Sequence, residues 1–162
     1  MRISVGVEGQ VVVTTPRGVS AVFIEKFVVK HSDWILRHVA RARLRTVMRI
    51  PRKDVVGLKK KALALAEVRC AYFANLYGFE YKKISVRAQR SRWGSCSTVG
   101  NLSFNYKIAV LPPHMADYVV VHEVCHLVQM NHSKKFWDLV KKTIPDYLVI
   151  RKELRKMHAV IE

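Results

Sequence analysis

From Tyr118 to Met130 the chain is apolar at almost every position, broken only by His122, Glu123, His126 and Gln129. Tyr118, Val119, Val120, Val121, Val124, Leu127, Val128 and Met130 cannot share one stripe of a helix, because at about 100° per residue they go round the whole circumference. A helix here has no solvent face to offer. It must be buried, with other elements packed around it. Leu111, Pro112 and Pro113 open it, since proline is tolerated in a first turn, and the apolar pattern runs to about Met130. Two imidazoles and a carboxylate in such surroundings need partners of their own.

The rest of the chain supplies short strands and amphipathic helices. Residues 2–14 read as two short strands turning at Glu8, Gly9 and Gln10. Pro16 to Gly18 is a turn signal. Residues 19–23 fit another short extended segment, and from about Ser20 the spacing turns helical, with Ser32 or Asp33 capping a second helix. Residues 59–77 form a long helix stopped by Gly78. Residues 82–89 alternate around Ile84, Val86 and Ala88, and residues 101–107 alternate around Leu102, Phe104 and Tyr106. The two read as neighbouring strands, joined by a tight polar loop over residues 92–97. Ser133 caps a helix with Phe136 and Trp137 on its core side, and Pro145 and Asp146 start a last helix to about His158. At 162 residues, one compact domain is expected over 1–162. Strands and helix occupy 1–50, and the functional core occupies 57–162.

Composition narrows the partners. Lys and Arg number 29 against 12 Asp and Glu, a formal charge of +17. Such an excess draws in nucleic acid or other polyanions; solvation of a small basic protein is the alternative, because the charge is spread along the chain. Arg87, Arg90 and Arg92 are the nearest to a cluster, and residues 37–49 form a second basic stretch. Three cysteines, Cys70, Cys96 and Cys125, cannot all pair within one molecule, and no CxxC is present. No run approaches the ~20 apolar residues of a membrane span, and the first fifteen residues lack the apolar core of a signal peptide. A reducing cytoplasm is expected, with no membrane partner. Oligomeric state is not legible.

The chemistry sits in the apolar helix. His122, Glu123 and His126 make an HExxH pattern, and imidazoles at i and i+4 project from one face and can share one ion. Glu123 lies about 100° round the helix from His122, close enough to serve a water without binding the ion. Catalytic zinc takes three protein ligands and keeps a fourth position open. His132, six residues after His126, is the third candidate. The metzincin signature has that spacing but places a glycine where this chain has Gln129, so that assignment fails. Asn131 tolerates left-handed geometry, and the helix is expected to extend one more turn and reverse there. Cys125 reads as a small core residue. His31, His38, His114 and His158 show no ligand spacing.

Residues 92–97 (Arg92, Trp93, Gly94, Ser95, Cys96, Ser97), Gly100, Asn101, Leu102, Asn105, Pro112, residues 117–123, His126, Asn131, His132, Ser133, Phe136 and Trp137 together resemble the YgjP-like metallopeptidase family, a relative of the SprT and WLM minimal zincins. Phe27, Val28, Trp34 and Ile35 extend the resemblance to most of the chain. It implies a peptidase that hydrolyses peptide or protein substrates, with one zinc per chain held by His122, His126 and His132 and Glu123 as general base. It implies an α+β minimal zincin, a small and mostly antiparallel sheet packed on the HExxH helix with flanking helices. It also implies that residues 101–106 hold an extended peptide by strand addition. Cys125 stands where a small aliphatic residue is the family's habit. Arg92, Trp93 and Ser95 belong near the cleft on this view, with Asn101 and Asn105 as further substrate contacts; the alternative is that Trp93 and Gly94 only shape a loop. Arg92 and Tyr147 are the candidates for an electrophile. A protease acting on DNA-bound proteins, and a metal-binding module without catalysis, remain open as other readings.

Overall fold

The computed structural model describes residues 1–89 and 91–162; Arg90, named above in the basic cluster, lies outside the described residues. The chain divides into two units, Met1–Met48 with Lys156–Val160, and Arg49–Arg155 with Ile161–Glu162.

In the first unit, β1 (Arg2–Val5) and β2 (Val11–Thr14) form an antiparallel hairpin with Arg2 opposite Thr14. Gly9, at φ 92, supplies the positive dihedral of the turn. Two helices follow, α1 (Ala21–Lys30) and α2 (Ser32–Arg43). The extended segment expected over residues 19–23 does not form. The Ser20 hydroxyl instead accepts the Phe23 N–H at 3.3 Å and starts α1 as its N-cap. Ser32 and Asp33 are likewise inside the first turn of α2, and His31 occupies its N-cap position. The His31 Nδ1 bonds back to the Phe27 carbonyl at 2.8 Å, joining the two helix ends.

β3 (Thr46–Ile50) pairs with β7 (Met157–Ile161), and the boundary between the units falls within both strands. β7 is an element that the helical reading to His158 missed. α6 stops at Leu154, and residues 157–161 extend because β3 offers them backbone partners.

The second unit opens with α3 (Val55–Tyr77), closed by Gly78 in the left-handed conformation at φ 68. β4 (Lys83–Arg87), β5 (Gly94–Cys96) and β6 (Asn101–Asn105) follow, then a 3-10 segment (Tyr106–Val110). Last come α4 (Pro113–Cys125), α5 (Lys134–Thr143) and α6 (Tyr147–Leu154). The sheet order is β4-β6-β5, with β4 parallel and β5 antiparallel to β6. Gly94 to Cys96 was expected as part of a loop. It is a three-residue strand because Ser95 pairs with Ser103 across the ladder.

α4 is buried on nearly every side, as its composition requires: Val120, Val121, Val124 and Cys125 are inaccessible to solvent. The sheet contributes Leu102 and Phe104 to the same core, and α5 contributes Phe136 and Val140. α3 packs against α4 and buries Ala62, Ala66 and Cys70, three small residues at i, i+4 and i+8. That stripe lets two backbones approach closely. One polar clamp joins the pair. The Arg69 guanidinium donates two bonds of 2.6 Å to the Asp117 carboxylate and lies over the Phe73 ring at 4.8 Å.

Among the described residues no helix is long and apolar enough to cross a membrane. Replacing Asp117 with Asn should lower the unfolding free energy by about 1–2 kcal/mol, because a half-buried bidentate pair loses its charge while Arg69 keeps its own. Urea unfolding of the two proteins measures it; equal midpoints would show the clamp to be energetically idle.

Candidate metal centre

α4 ends earlier than its apolar composition suggests. Hydrogen bonding tightens after Cys125: Leu127 N–H reaches the Val124 carbonyl at 3.1 Å, and Val128 N–H reaches that of Cys125 at 3.3 Å. The helix therefore does not continue to Met130. It also does not reverse at a left-handed Asn131, for no described residue other than glycine has positive φ. Two side chains take over that work. His126 Nδ1–H donates to the Gln129 carbonyl at 2.8 Å, folding the turn back on the helix end. The Asn131 Oδ1 accepts the Ser133 N–H at 3.3 Å, just ahead of α5.

This turn delivers His132 to the histidine pair. His122 Nε2 lies 3.2 Å from His126 Nε2 and 3.1 Å from His132 Nε2. The ligand atoms of the three residues all fall within 4.8 Å of one another. A single proton can bridge only one pair of such nitrogens, whereas one cation satisfies all three. Nitrogens bound at ~2.0–2.1 Å around a tetrahedral ion lie roughly 3.3 Å apart, near the two short separations. The donor set fits a metal. The bond to Gln129 places the His126 proton on Nδ1 and leaves Nε2 as a donor lone pair. His122 Nδ1 is buried and has no hydrogen-bond partner among the described residues.

Aromatic rings wall the cluster. Phe136 stacks on His126 at 4.4 Å, Trp137 on His132 at 5.5 Å, and Tyr147 on Trp137 at 5.1 Å. Arg151, one turn after Tyr147 on α6, sets its guanidinium 4.6 Å from the Trp137 ring centroid.

The electrostatics favour neutral imidazoles. Burial, then the neighbouring His126, His132 and Arg151, pushes the His122 pKa down to about 3. Burial also lowers that of His126, opposed by its bond to Gln129. Glu123 is only 6% exposed, and burial raises its pKa to about 8, with Arg92 acting in the opposite sense. A carboxyl poised near neutrality can accept and return a proton.

The residues singled out from the sequence divide into two groups. His122, His126 and His132 come together, Glu123 follows His122 on α4 as a buried carboxyl, Arg92 lies within the electrostatic reach of Glu123, and Tyr147 joins through Trp137. Asn105 is turned to other use. It is 3% exposed, and its Nδ2 donates to the carbonyls of Gln89 and Arg92 at 2.7 and 2.9 Å. It holds the segment that carries Arg92 and Trp93. Ser95 sits in the middle of β5, and Asn101 is exposed at the start of β6. β6 has a neighbour on each side, so the strand addition expected along residues 101–106 is excluded. The outer strand that meets Glu123 is β5: a Cβ built on Gly94 falls 2.7 Å from Glu123 Cγ. The contact of Gly94 with Glu123, the Gln129 carbonyl and Arg151 are not in the sequence reading, which has Gly94 only as part of the 92–97 loop. Of these, only Arg151 left a signal, its helical spacing from Tyr147.

A family model, YgjP-like metallopeptidase domain, matches residues 56–157. Among solved structures, the chain is similar to the metallopeptidase zymogen abylysin of Pyrococcus abyssi, with 20% identity and a TM-score of 0.51. The match covers 55% of this chain and 90% of that one, and at this identity it bears on the fold, a minimal-zincin arrangement of helices and small sheets. No curated protein matches the chain.

Because the folded pKa of Glu123 is raised, the neutral carboxyl's contribution to stability is complete below about pH 4.5 and is lost as pH climbs towards about 8. Metal-free Glu123→Gln should therefore match metal-free wild type near pH 4.5 and exceed it by about 2–4 kcal/mol at pH 8. Denaturant titrations of chelator-treated protein across that range test it; a gap that does not grow with pH would contradict the assigned shift.

Proposed function

The chain belongs to the YgjP-like metallopeptidase family, and from that premise we propose that it is a zinc-dependent peptidase in which His122, His126 and His132 hold the ion and Glu123 is the general base. The observation that carries this reading is the convergence of three Nε2 atoms at the end of a helix that also carries the buried Glu123. Three nitrogen donors with a free fourth position suit catalytic zinc better than a closed structural site. When bound, zinc polarises the scissile carbonyl and acidifies water.

The chain's own residues supply the remaining steps. Glu123 takes the proton of the attacking water and returns it to the leaving amine. Its low exposure keeps bulk water from competing for that proton, and its raised pKa suits the return step. Gln129, through the Nδ1 of His126, holds that ring in the tautomer that donates from Nε2. Phe136 and Trp137 fix the ring planes of His126 and His132. β5 is the outer strand suited to an extended peptide. Its ladder to β6 runs through Trp93, Ser95 and Ser97, so alternation turns the backbone groups of Gly94 and Cys96 away from β6. Arg92, through its influence on Glu123, and Tyr147, stacked on Trp137, remain candidates for substrate or oxyanion contact.

The charge of +17 favours a second reading, in which the substrate is a protein held near nucleic acid. Affinity for duplex or single-stranded DNA should then fall steeply as salt rises; binding indifferent to salt would remove this reading and leave the peptidase untouched.

Purified wild type should carry about one zinc per chain by elemental analysis. His132→Ala should lose most of it, and Glu123→Gln should keep it while turnover of an unfolded protein substrate falls by at least about 1,000-fold. Wild-type turnover by Glu123→Gln would remove the glutamate from the mechanism.

A further inference from the structure

Gly94 lies in β5, opposite Phe104. Its φ is not in the left-handed region, so any L-residue could adopt its backbone conformation, and a strand position ordinarily prefers a side chain to none. What excludes a side chain is one neighbour. A Cβ at this position would stand 2.7 Å from Glu123 Cγ, 2.8 Å from Oε1 and 2.9 Å from Cδ. Such separations are closer than real Cβ atoms tolerate. The three nearest heavy atoms all belong to the Glu123 side chain.

We propose that Gly94 is the positioning residue of the glutamate: its bare Cα forms the wall against which the Glu123 side chain lies, and this sets the carboxylate relative to the three histidines. The inference rests on the reading of Glu123 as the base, and it explains a glycine in this strand by clearance and not by a turn.

The geometry around the pair supports this. Glu123 leaves a helix whose neighbouring positions are buried, so its backbone cannot yield to a methyl group. β5 cannot retreat either. Asn105 N–H holds the Trp93 carbonyl at 2.8 Å, Ser97 N–H holds the Asn101 carbonyl at 2.9 Å, and the Asn105 side chain ties down the preceding segment through the Arg92 carbonyl at 2.9 Å. The strand is pinned on both sides of Gly94. Only the Glu123 side chain is free to move, so a methyl at Gly94 would displace the carboxylate while the histidines stay in place. The backbone of the same residue turns to the open edge of the sheet, so the strand proposed to receive the peptide also seats the base.

The test is Gly94→Ala, made in the wild type and in Glu123→Ala. In the wild-type background kcat should fall by about 100-fold, the loss typical of a displacement of about 1 Å in a reacting group. KM should stay within threefold and zinc content at one per chain. A merely structural defect would move all three. Gly94→Ala should lower the melting temperature when Glu123 is present and leave it unchanged in Glu123→Ala, where the clashing atoms are gone. If Gly94→Ala alone is insoluble, recovery of soluble protein in the double variant supports the contact, and failure of both overturns it. A kcat within threefold of wild type, or equal melting losses in both backgrounds, would also overturn it. Should Glu123→Gln turn over normally, the base assignment falls by itself, and the melting comparison still reads the contact.

Discussion

Burying α4 on nearly every side while one turn of it carries two imidazoles and a carboxylate is the constraint around which the second unit is arranged. Apolar contacts hold the helix in place, with the small-residue stripe of α3 along one side and Leu102, Phe104, Phe136 and Val140 in the surrounding core. Those contacts tolerate no unpartnered charge. The polar groups on the helix end, His122 Nδ1 excepted, are given local answers. His126 bonds to Gln129, the three Nε2 atoms face one another, and Glu123 lies against the bare Cα of Gly94.

This arrangement makes the site's electrostatics a result of packing. Burial disfavours a proton on His122 and favours one on Glu123, so one apolar environment shifts the imidazole and the carboxyl in opposite directions, both towards their neutral forms. Arg92 moderates Glu123 from one side, while Arg151, seated on Trp137, adds positive charge near His122 from another. Both cations reach the cluster from elements outside α4, and the loop bearing Arg92 is held by a buried asparagine.

Much of the site could be read directly. His122, Glu123 and His126 lie within five consecutive residues at the end of one helix, and helical geometry alone puts the two rings on one face. The element types of the second unit also followed from local pattern: α3 with its glycine stop, β4 and β6 from alternation, and α5 after Ser133. Where local reading failed, either a strand partner from elsewhere or a side chain bonding to nearby backbone had decided. Gly94 to Cys96 extend because β6 accepts them, residues 157–161 because β3 does, and Ser20 turns an apparently extended stretch into a helix start. The length of α4 was misjudged for a similar reason. Its apolar residues continue to Met130, but Val128 and Met130 are half exposed, at 52% and 47%, and the helix ends where His126 captures the Gln129 carbonyl.

The sequence by itself determined that a buried helix would carry two imidazoles and a carboxylate one turn apart, since both the periodicity and the donor spacing are properties of a single segment. It also determined the family, through residues that stay together along the chain. Only tertiary structure decided which strand lies at the sheet's edge beside Glu123, because strand order depends on pairings between distant segments and leaves no trace in alternation. The same holds for Gly94. Its lack of a side chain has meaning only once β5 and α4 are brought within a bond length or two of contact, and no local pattern records that distance.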